Sequence, residues 1–485
     1  MVSFILPGNS ASGGYQVDNS LRFDKNSNDE LNLTYGSNGN RRTMTFSYWI
    51  KFSKLDTNMY PISIYDASTG YQADLRHSSA NQLRMYATDT SGTPRVHLLT
   101  NRVFRDLTSW YHIVWQVDTT QSTESNRVKL YVNGVQETSF ATEDYPPQNT
   151  DLRWNGTNDA DQGGVTRIGN IQGGTGSLDG YMAEVVFIDG TAYDHTSFGE
   201  FDSDTGIWKP INVSGLTFGT NGFYLEFKQT GTSQNSSGLG ADTSGSDNHF
   251  AVSNLTSVDQ STDTCTNNFA TMNPLAAQGG SSESRSVITF TEGNLVVDAI
   301  SSETAIANIG VDTGKWYWEV KVLTDQDGLA IGAVNQHFHL DAEIGYNSPS
   351  SPSNAKVFAY YGGNGNKYTT IGDGSQLSSY GDAIAVNDII GVALNLDDDE
   401  VVFYKNGTAQ NSGTAISLTA LGSGEQYFPA VGNWSASAVK LSFNFGSPAF
   451  SISSGNSDGS GYGNFEYTVP SGYYALNTKN LAKYG

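Results

Sequence analysis

Apolar and polar residues alternate along most of this chain, and the three-to-four-residue spacing of an amphipathic helix is hard to find anywhere in it. The segment Thr43–Ser53 (TMTFSYWIKFS) puts Met44, Phe46, Tyr48, Ile50 and Phe52 on one side. Thr43, Thr45, Ser47, Trp49 and Lys51 fall on the other, which predicts a half-buried strand. Strands are likewise predicted at Trp110–Asp118 and Arg127–Val132, the second running into Asn133-Gly134. Asn-Gly accepts the positive φ of a type I′ turn, so the chain is expected to reverse there. Ile168–Asn170 and Leu178–Asp189 close this first set, with Met182, Val185 and Phe187 as core candidates. A second set begins near Ser286 with Val287–Phe290, then Lys315–Val322, which aligns Trp316, Trp318, Val320 and Val322 on one face. Leu329–Val334, Val357–Tyr361, Asp388–Leu396, Glu400–Lys405, Tyr427–Val431 and Val439–Phe445 follow, with turns at Asp397–Asp399 and Asn406-Gly407. Short strands punctuated by Gly and Asn at this spacing predict antiparallel β-sandwiches.

Between the two sets the pattern changes. Gln229–Asn248 is almost entirely Gly, Ser, Thr, Asn and Asp, which predicts a flexible connection. Residues 250–275 carry isolated apolar anchors (Phe250, Leu255, Phe269 and Met272), expected to lie against a domain surface. The expected organisation is an N-terminal segment over 1–19, whose apolar start Val2–Pro7 fits docking onto a larger assembly and a frayed terminus equally, a sandwich over 20–228, a linker over 229–285, a second sandwich over 286–450, and a tail over 451–485.

Charge and cysteine content narrow the function classes. With 49 acidic and 26 basic residues the net charge is −23. Phosphate backbones and anionic membranes are bound through Lys and Arg, so neither nucleic acid nor membrane is an expected partner. Cys265 is the only cysteine, so no intramolecular disulfide and no cysteine-based metal site is expected. Phe4-Ile5-Leu6 is too short for a secretory h-region, and no apolar run reaches the roughly 18 residues of a membrane span. Synthesis in a cytoplasm without a signal peptide is expected.

Two resemblances rest on dispersed segments. Ser20–Asp24, Phe46–Lys51, Trp110–His112, Leu130–Gly134, Ile168-Gly169 and Leu178–Val185 resemble, in order, the laminin-G-like, concanavalin-A-like lectin/glucanase jelly roll. Gly314–Val320, Ile389–Val392, Val402–Gly407, Phe428–Val431 and Phe443–Gly446 are similar to the SPRY/B30.2 sandwich. Together they imply an all-β chain of two consecutive jelly-roll sandwiches. Ile188–Gly190 through Phe198–Lys209, Gly219–Phe227 and the tail Tyr474–Leu481 resemble bacteriophage virion-appendage proteins of the tail-fibre kind. That resemblance implies a virion-surface protein that contacts other virion proteins and attaches to host surface glycan or another envelope ligand. Appendages of this kind are usually homo-oligomers, often trimers, since weak sugar sites gain from avidity.

Candidate chemistry is sparse. Glucanases on this fold carry Glu-x-Asp-x-x-Glu on one strand; Glu200-Phe-Asp202-Ser-Asp204 lacks the second Glu and reads as a solvated loop. His337 and His339 have no third ligand in view. The run Asp397–Glu400 fits a hairpin turn better than a calcium loop. The laminin-G resemblance implies a calcium option at a sandwich rim, with Asp66, Asp74, Asp159 and Asp161 as donors; no other cofactor is expected. Sugar sites offer aromatic faces beside polar edges. Two loops have that character: one holds Trp154, Asn155, Asn158 and Asp159, the other Tyr360, Tyr361 and Tyr368, with Trp434 after the Phe428–Val431 segment. No catalytic residue is expected and the chain reads as a binding protein rather than an enzyme. A polysaccharide depolymerase and a purely structural decoration protein are the other two functions weighed.

Overall fold

The computed structural model describes residues 14–66, 70–157, 164–174, 176–279, 288–299, 303–324, 327–338, 344, 354–370, 377–418, 424–435 and 439–485. They form two compact units that divide between Asn267 and Asn268. Both units are antiparallel β, as the alternation predicts.

In the first unit the strands run β1 (Ser20–Phe23), β2 (Glu30–Leu33), β3 (Thr43–Phe52), β4 (Met59–Asp66), β5 (Tyr71–His77), β6 (Gln82–Thr88), β7 (Pro94–Val103), β8 (Tyr111–Asp118) and β9 (Val128–Val132). They continue with β10 (Val135–Glu137), β11 (Phe140–Asp144), β12 (Thr166–Ile168), β13 (Gly180–Asp189), β14 (Gly199–Phe201), β15 (Trp208–Pro210), β16 (Phe223–Leu225), β17 (Ala251–Ser253) and β18 (Gln260–Ser261). One sheet has the order β10-β9-β8-β3-β13-β1-β18, with β16 also on β13; the other is β11-β7-β6-β5-β4-β12-β2-β17. Their facing sides share one core that includes Phe46, Ile50, Leu75, Met85, Met182, Val185 and Phe187. Asn133 and Gly134 both have positive φ, 48° and 77°, and join β9 to β10 as the Asn-Gly pair predicts.

The strand at Thr43 is not half-buried. Its alternate side is buried too, with Thr45, Ser47, Trp49 and Lys51 at most 2% exposed. A second layer covers the outer side of this sheet. Trp49, Trp110, Tyr181 and Trp208 pack there with Val17 and Cys265, and Val114, Val186 and Ile188 pack with Phe198, Val213 and Phe218. Burying each such large side chain is worth about 1.5–3 kcal/mol.

The polar residues under this layer are paired. Lys51 Nζ meets Asp263 Oδ2 at 2.7 Å with both side chains 1% exposed, and Trp110 Nε1 donates to Asp263 Oδ1 at 3.1 Å. Asp263 thereby fixes the return segment of the chain onto β3. The stretch read as a linker over 229–285 is accordingly no free connection. Residues 229–267 belong to the first unit, where β17 pairs with β2, β18 pairs with β1, and Phe250 and Leu255 enter the core. The composition misleads because its Asp and Asn bonds fold inward. Asp242 alone accepts from Tyr224 N, Ser244 N, Ser244 Oγ and Asn248 N at 2.8–2.9 Å.

The pairing of β13 with β3 slips between Ala183 and Val186, and Glu184 at this bulge has φ of 49°. Its side chain is buried, with Tyr15 and Tyr224 hydroxyls on Oε2. Burial, which disfavours the charged form, pushes its carboxyl up to about 7.

The second unit repeats the two-sheet plan. Its central strands are β19 (Lys315–Thr324), β20 (Leu329–Asn335), β21 (Val357–Tyr361), β22 (Ile389–Asn395), β23 (Glu400–Lys405), β24 (Tyr427–Asn433) and β25 (Val439–Asn444). In one sheet β19 lies between β22 and β25, and in the other β20 lies between β21 and β24. Trp316, Trp318, Val320 and Val322 all reach the core, and Asp399 and Asn406 turn with positive φ, as expected.

This unit is longer than its strand pattern suggests. Met272–Gly279 pairs with Glu303–Ala307, and Tyr474–Ala475 adds in parallel to β19. The tail over 451–485 is likewise folded in. Glu319, fully buried, accepts from Asn444 Nδ2, Tyr317 hydroxyl and the backbone N–H groups of Glu466 and Tyr467. Among the described residues the α-helix is Thr478–Tyr484, and no helix is long and apolar enough to cross a membrane.

Two stability predictions follow from these buried carboxylates. Replacing Lys51 by Met strands the Asp263 charge and should cost about 3–5 kcal/mol in urea unfolding, most of it recovered by the double change Lys51→Met with Asp263→Leu. Folded Glu184 keeps its proton to about pH 7, against an ordinary 4.5. Its contribution is therefore complete below pH 4.5 and is lost as pH rises through 7, by about 3 kcal/mol. Subtracting the pH profile of Glu184→Gln from that of the wild type should leave this slope; a flat difference between pH 4.5 and 7 would refute it.

Candidate functional site

Two sheets have four faces. In the first unit, two meet in the core and the overlayer covers a third. The fourth is the outer face of β11-β7-β6-β5-β4-β12-β2-β17. Along each of these strands alternate residues, such as Leu31, Ile62, Leu75, Met85 and Leu98, point into the core. The residues between them point outward.

The strand register lines these outward residues into a row. Asp144 stands opposite His97, His97 opposite Tyr86, and Tyr86 opposite Asp74. Asp74 in turn stands opposite Ser63, Ser63 opposite Arg167, and Arg167 opposite Asn32. Seven strands at about 4.8 Å apart make this row about 30 Å long. Tyr65 and Gln72 form the next position on one side of it; Tyr60, Arg76 and Arg84 lie on the other.

Burial grades along the row. Ser63 and Asp74 form its buried floor, Ser63 donating to Asn170 O at 2.7 Å. Asn32, Arg167, Tyr86, His97, Tyr60, Tyr65 and Gln72 are half-buried, and Asp144 is exposed at the edge. Arg84 holds Asp74, with Nη2 at 2.6 and 2.7 Å from the two oxygens and Nε at 3.1 Å from Oδ1. Burial pushes the Asp74 carboxyl up and the Arg84 charge opposes it. The Arg84 guanidinium also lies 5.1 Å from the Tyr86 ring centroid, and Tyr86 meets His97 edge-on at 5.8 Å. Burial, and then the Arg84 charge, push the His97 imidazole down, so it is neutral at pH 7. Arg167 lies 3.7 Å from Glu30. The face therefore combines partly exposed aromatic rings with amide, imidazole and guanidinium edges, while its carboxylates at Asp74 and Glu30 are held by arginines.

The loops singled out from sequence are placed differently. Trp154 and Asn155 are 1% exposed. Trp154 packs on Phe46 in the core. Asn155, at φ of 64°, donates to Asn40 O and Asp189 Oδ1 and accepts from Asn221 Nδ2 at 2.6–2.9 Å. Gly39 lies so close that a Cβ there would stand 2.3 Å from the Asn155 amide. A loop this polar turns inward because its amides satisfy one another. Asn158, Asp159 and Asp161 lie outside the described residues, as does the side chain of Asp66. Asp74, the remaining calcium candidate, is committed to Arg84, and among the described residues no cluster of three His, Cys, Asp or Glu can hold a metal.

In the second unit, Tyr360 is fully buried with its hydroxyl on Asp382 O, and Tyr368 is 2% exposed in a separate cluster. Tyr361 and Trp434 are brought together, stacked at 5.5 Å and 20°, with Trp434 half-buried.

Two further groups resemble catalytic ones. Ser47 Oγ lies 2.9 Å from His112 Nε2. Trp208 Nε1, which only donates, meets His112 Nδ1 at 2.9 Å, so Nε2 carries the proton and donates to Ser47. An imidazole in that tautomer cannot take the serine proton. Burial, and after it the charge of His195, push its pKa down to about 3. Asp202, from the glucanase-like run, accepts from Thr205 N, Thr205 Oγ1, Asp204 N and Lys209 Nζ within its own hairpin. These bonds, that of the Thr205 backbone first, pull its carboxyl down to about 2.

The row on β11 to β2 escaped the sequence reading because residues 54–109 were not resolved into strands there. Its signal was present in the polar alternates of YQADLRH and QLRMYAT. They include Asp74, Arg76, Arg84 and Tyr86 beside Gln72, Gln82 and Thr88.

A family model matches part of each unit. Residues 24–193 match the profile of the concanavalin A-like lectin/glucanases superfamily, and residues 315–448 that of the SPRY domain. A 143-residue stretch is 33% identical to the ATP-dependent RNA helicase Ddx1 of Drosophila melanogaster; it covers 30% of this chain and 17% of the helicase. The SPRY domain of human HERC1 aligns at 17% identity and a TM-score of 0.26, over 36% of this chain and 96% of that one. The heptameric SAP-like pentraxin of Limulus polyphemus aligns at 16% identity and a TM-score of 0.27, over 37% and 78%. The family models thus find a concanavalin A-like lectin/glucanase-type domain in the first sandwich and a SPRY domain in the second.

Proposed function

We propose that the chain is a non-catalytic adhesion protein whose first sandwich binds an extended glycan along the row from Asn32 to His97. The observation that carries this reading is the register itself, which lines up half-buried rings and polar edges in a straight path across six strands. A sugar ring presents C–H surfaces to aromatic faces and hydroxyls to polar edges, and a chain polymer extends both along a line. The two domain types support a binding or adhesion role. The resemblance of 188–209, 219–227 and the tail to phage appendages supports a place on a virion surface. There, contacts with other virion proteins and a homo-oligomer, such as a trimer, would multiply weak sites against a host envelope.

This reading requires no calcium or other cofactor and no nucleic-acid or membrane partner. The stacked pair Tyr361 and Trp434 favours one second reading, in which the SPRY-type unit holds the ligand.

The test is binding of the purified chain to an array of bacterial surface polysaccharides, with and without chelator, assaying released reducing ends in the same wells. Binding without release is expected. Tyr86→Ala should weaken it about ten-fold, or about 1.4 kcal/mol, without shifting the melting temperature. Loss on Trp434→Ala but not Tyr86→Ala would move the site to the second unit. Release of reducing ends would make the protein a depolymerase, and chelator sensitivity would restore calcium. Silence in every well would favour a structural decoration protein.

A further inference from the structure

Arg76 departs from the pairing that governs the rest of this face. On β5 it stands directly opposite Arg84 of β6, and like charges in that position destabilise a sheet unless something offsets them. Asp74, two residues before Arg76 on β5, gives both of its oxygens to Arg84 and feels the Arg76 charge without an ion-pair contact. Arg76 has no ion pair among the described residues. Its Nη1 reaches the Tyr60 hydroxyl at 3.3 Å, its guanidinium lies 5.7 Å from the centroid of that ring, and its Nε is buried without a hydrogen-bond partner. Among the described residues this half-buried cation makes no salt bridge, in a chain with 49 acidic residues.

The surroundings hold that cation in place. β4 bulges so that Tyr60 and Pro61 together stand between the pairs Met59–His77 and Ile62–Leu75, opposite Arg76. Bulges of this kind re-aim a side chain. Tyr60 N donates to Gly176 O at 3.0 Å, and a Cβ on Gly176 would come within 2.2 Å of the Tyr60 ring. Tyr60 is thereby wedged beside Arg76 and the guanidinium plane is preset. An oriented fork with free N–H groups matches a carboxylate better than any neutral hydroxyl.

Resting on the glycan reading above, we propose that the ligand is a polysaccharide bearing a carboxylated sugar, with that carboxylate on Arg76 and the neutral sugars along the row. On this face three arginines (Arg76, Arg84 and Arg167) meet three carboxylates (Asp74, Glu30 and Asp144), while the whole chain carries −23. That balance suits an occasional acidic sugar and repels a densely charged polyanion.

The experiment prints bacterial polysaccharides in native and carboxyl-reduced form and measures the full chain alongside Arg76→Gln and Arg76→Lys. Native forms should bind at least ten-fold better than their reduced counterparts. Arg76→Gln should bind the native form as weakly as the wild type binds the reduced one, and Arg76→Lys should fall between them. Equal binding of native and reduced forms that still depends on Tyr86 would overturn the carboxylate and leave the glycan site standing. Absence of binding to every form would overturn both. Because the chemical reduction needs no variant, instability of Arg76→Gln leaves the comparison intact.

Discussion

The buried pair between Lys51 and Asp263 is the interaction on which the first unit's organisation turns. A strand such as β3 alternates, so a lysine on it faces away from the core and would ordinarily be wet. Here it is sealed, and sealing a charge is tolerable only if an opposite charge arrives with it. Asp263 comes from the far end of the unit and brings the segment carrying Cys265 and β18 onto the sheet. Once that layer is closed, one sheet is covered on both sides, and among the described residues of this unit no such apolar layer lies on the other. The position of the proposed binding face follows from which face that layer covers.

The sequence made much of this legible, and what it concealed has a common cause. Alternation located β3, β8, β9 and β13, and the paired Asn-Gly turns placed two hairpins, because both signals are local. Whether the polar side of a strand meets water is not local. Ser47 and Lys51 read as solvated because their partners, His112 and Asp263, lie 65 and 212 residues away. The same holds in reverse for Trp154 and Asn155. They sit in a loop whose Asn and Gly content suggests exposure, but those amides close on Asn40, Asp189 and Asn221 and carry the indole into the core. Polarity counts as exposure only when the polar groups lack one another.

A similar economy explains the segments mistaken for linker and tail. Neither has enough apolar residues to form a core alone, yet each contributes a few anchors and many directed hydrogen bonds to a sandwich that already exists. Glu319 shows the second case. One buried carboxylate on β19 gathers two backbone N–H groups from residues 466 and 467, beside the buried side chains of Phe465, Val469 and Leu476. Buried backbone groups must be satisfied somewhere, and a carboxylate with four lone-pair directions is an efficient place to satisfy them.

The charge distribution gives the open face its character. Across this chain, acids outnumber bases almost two to one, which keeps a crowded or multimeric surface soluble and works against association with polyanions. On the outer face of β11 to β17 that ratio does not hold, because Arg76, Arg84 and Arg167 sit within a few strands of one another and two of the three are matched to Asp74 and Glu30. Matched pairs lock side chains in place without adding net field, so the face can be rigid and nearly neutral inside an acidic molecule. Rigidity lowers the entropy lost when a flexible sugar chain is ordered, and near-neutrality removes the long-range repulsion that the rest of the protein would impose. Both properties come from arginine rather than lysine, whose flexible stem would hold neither the ring contacts at Tyr60 and Tyr86 nor the two-oxygen grip on Asp74.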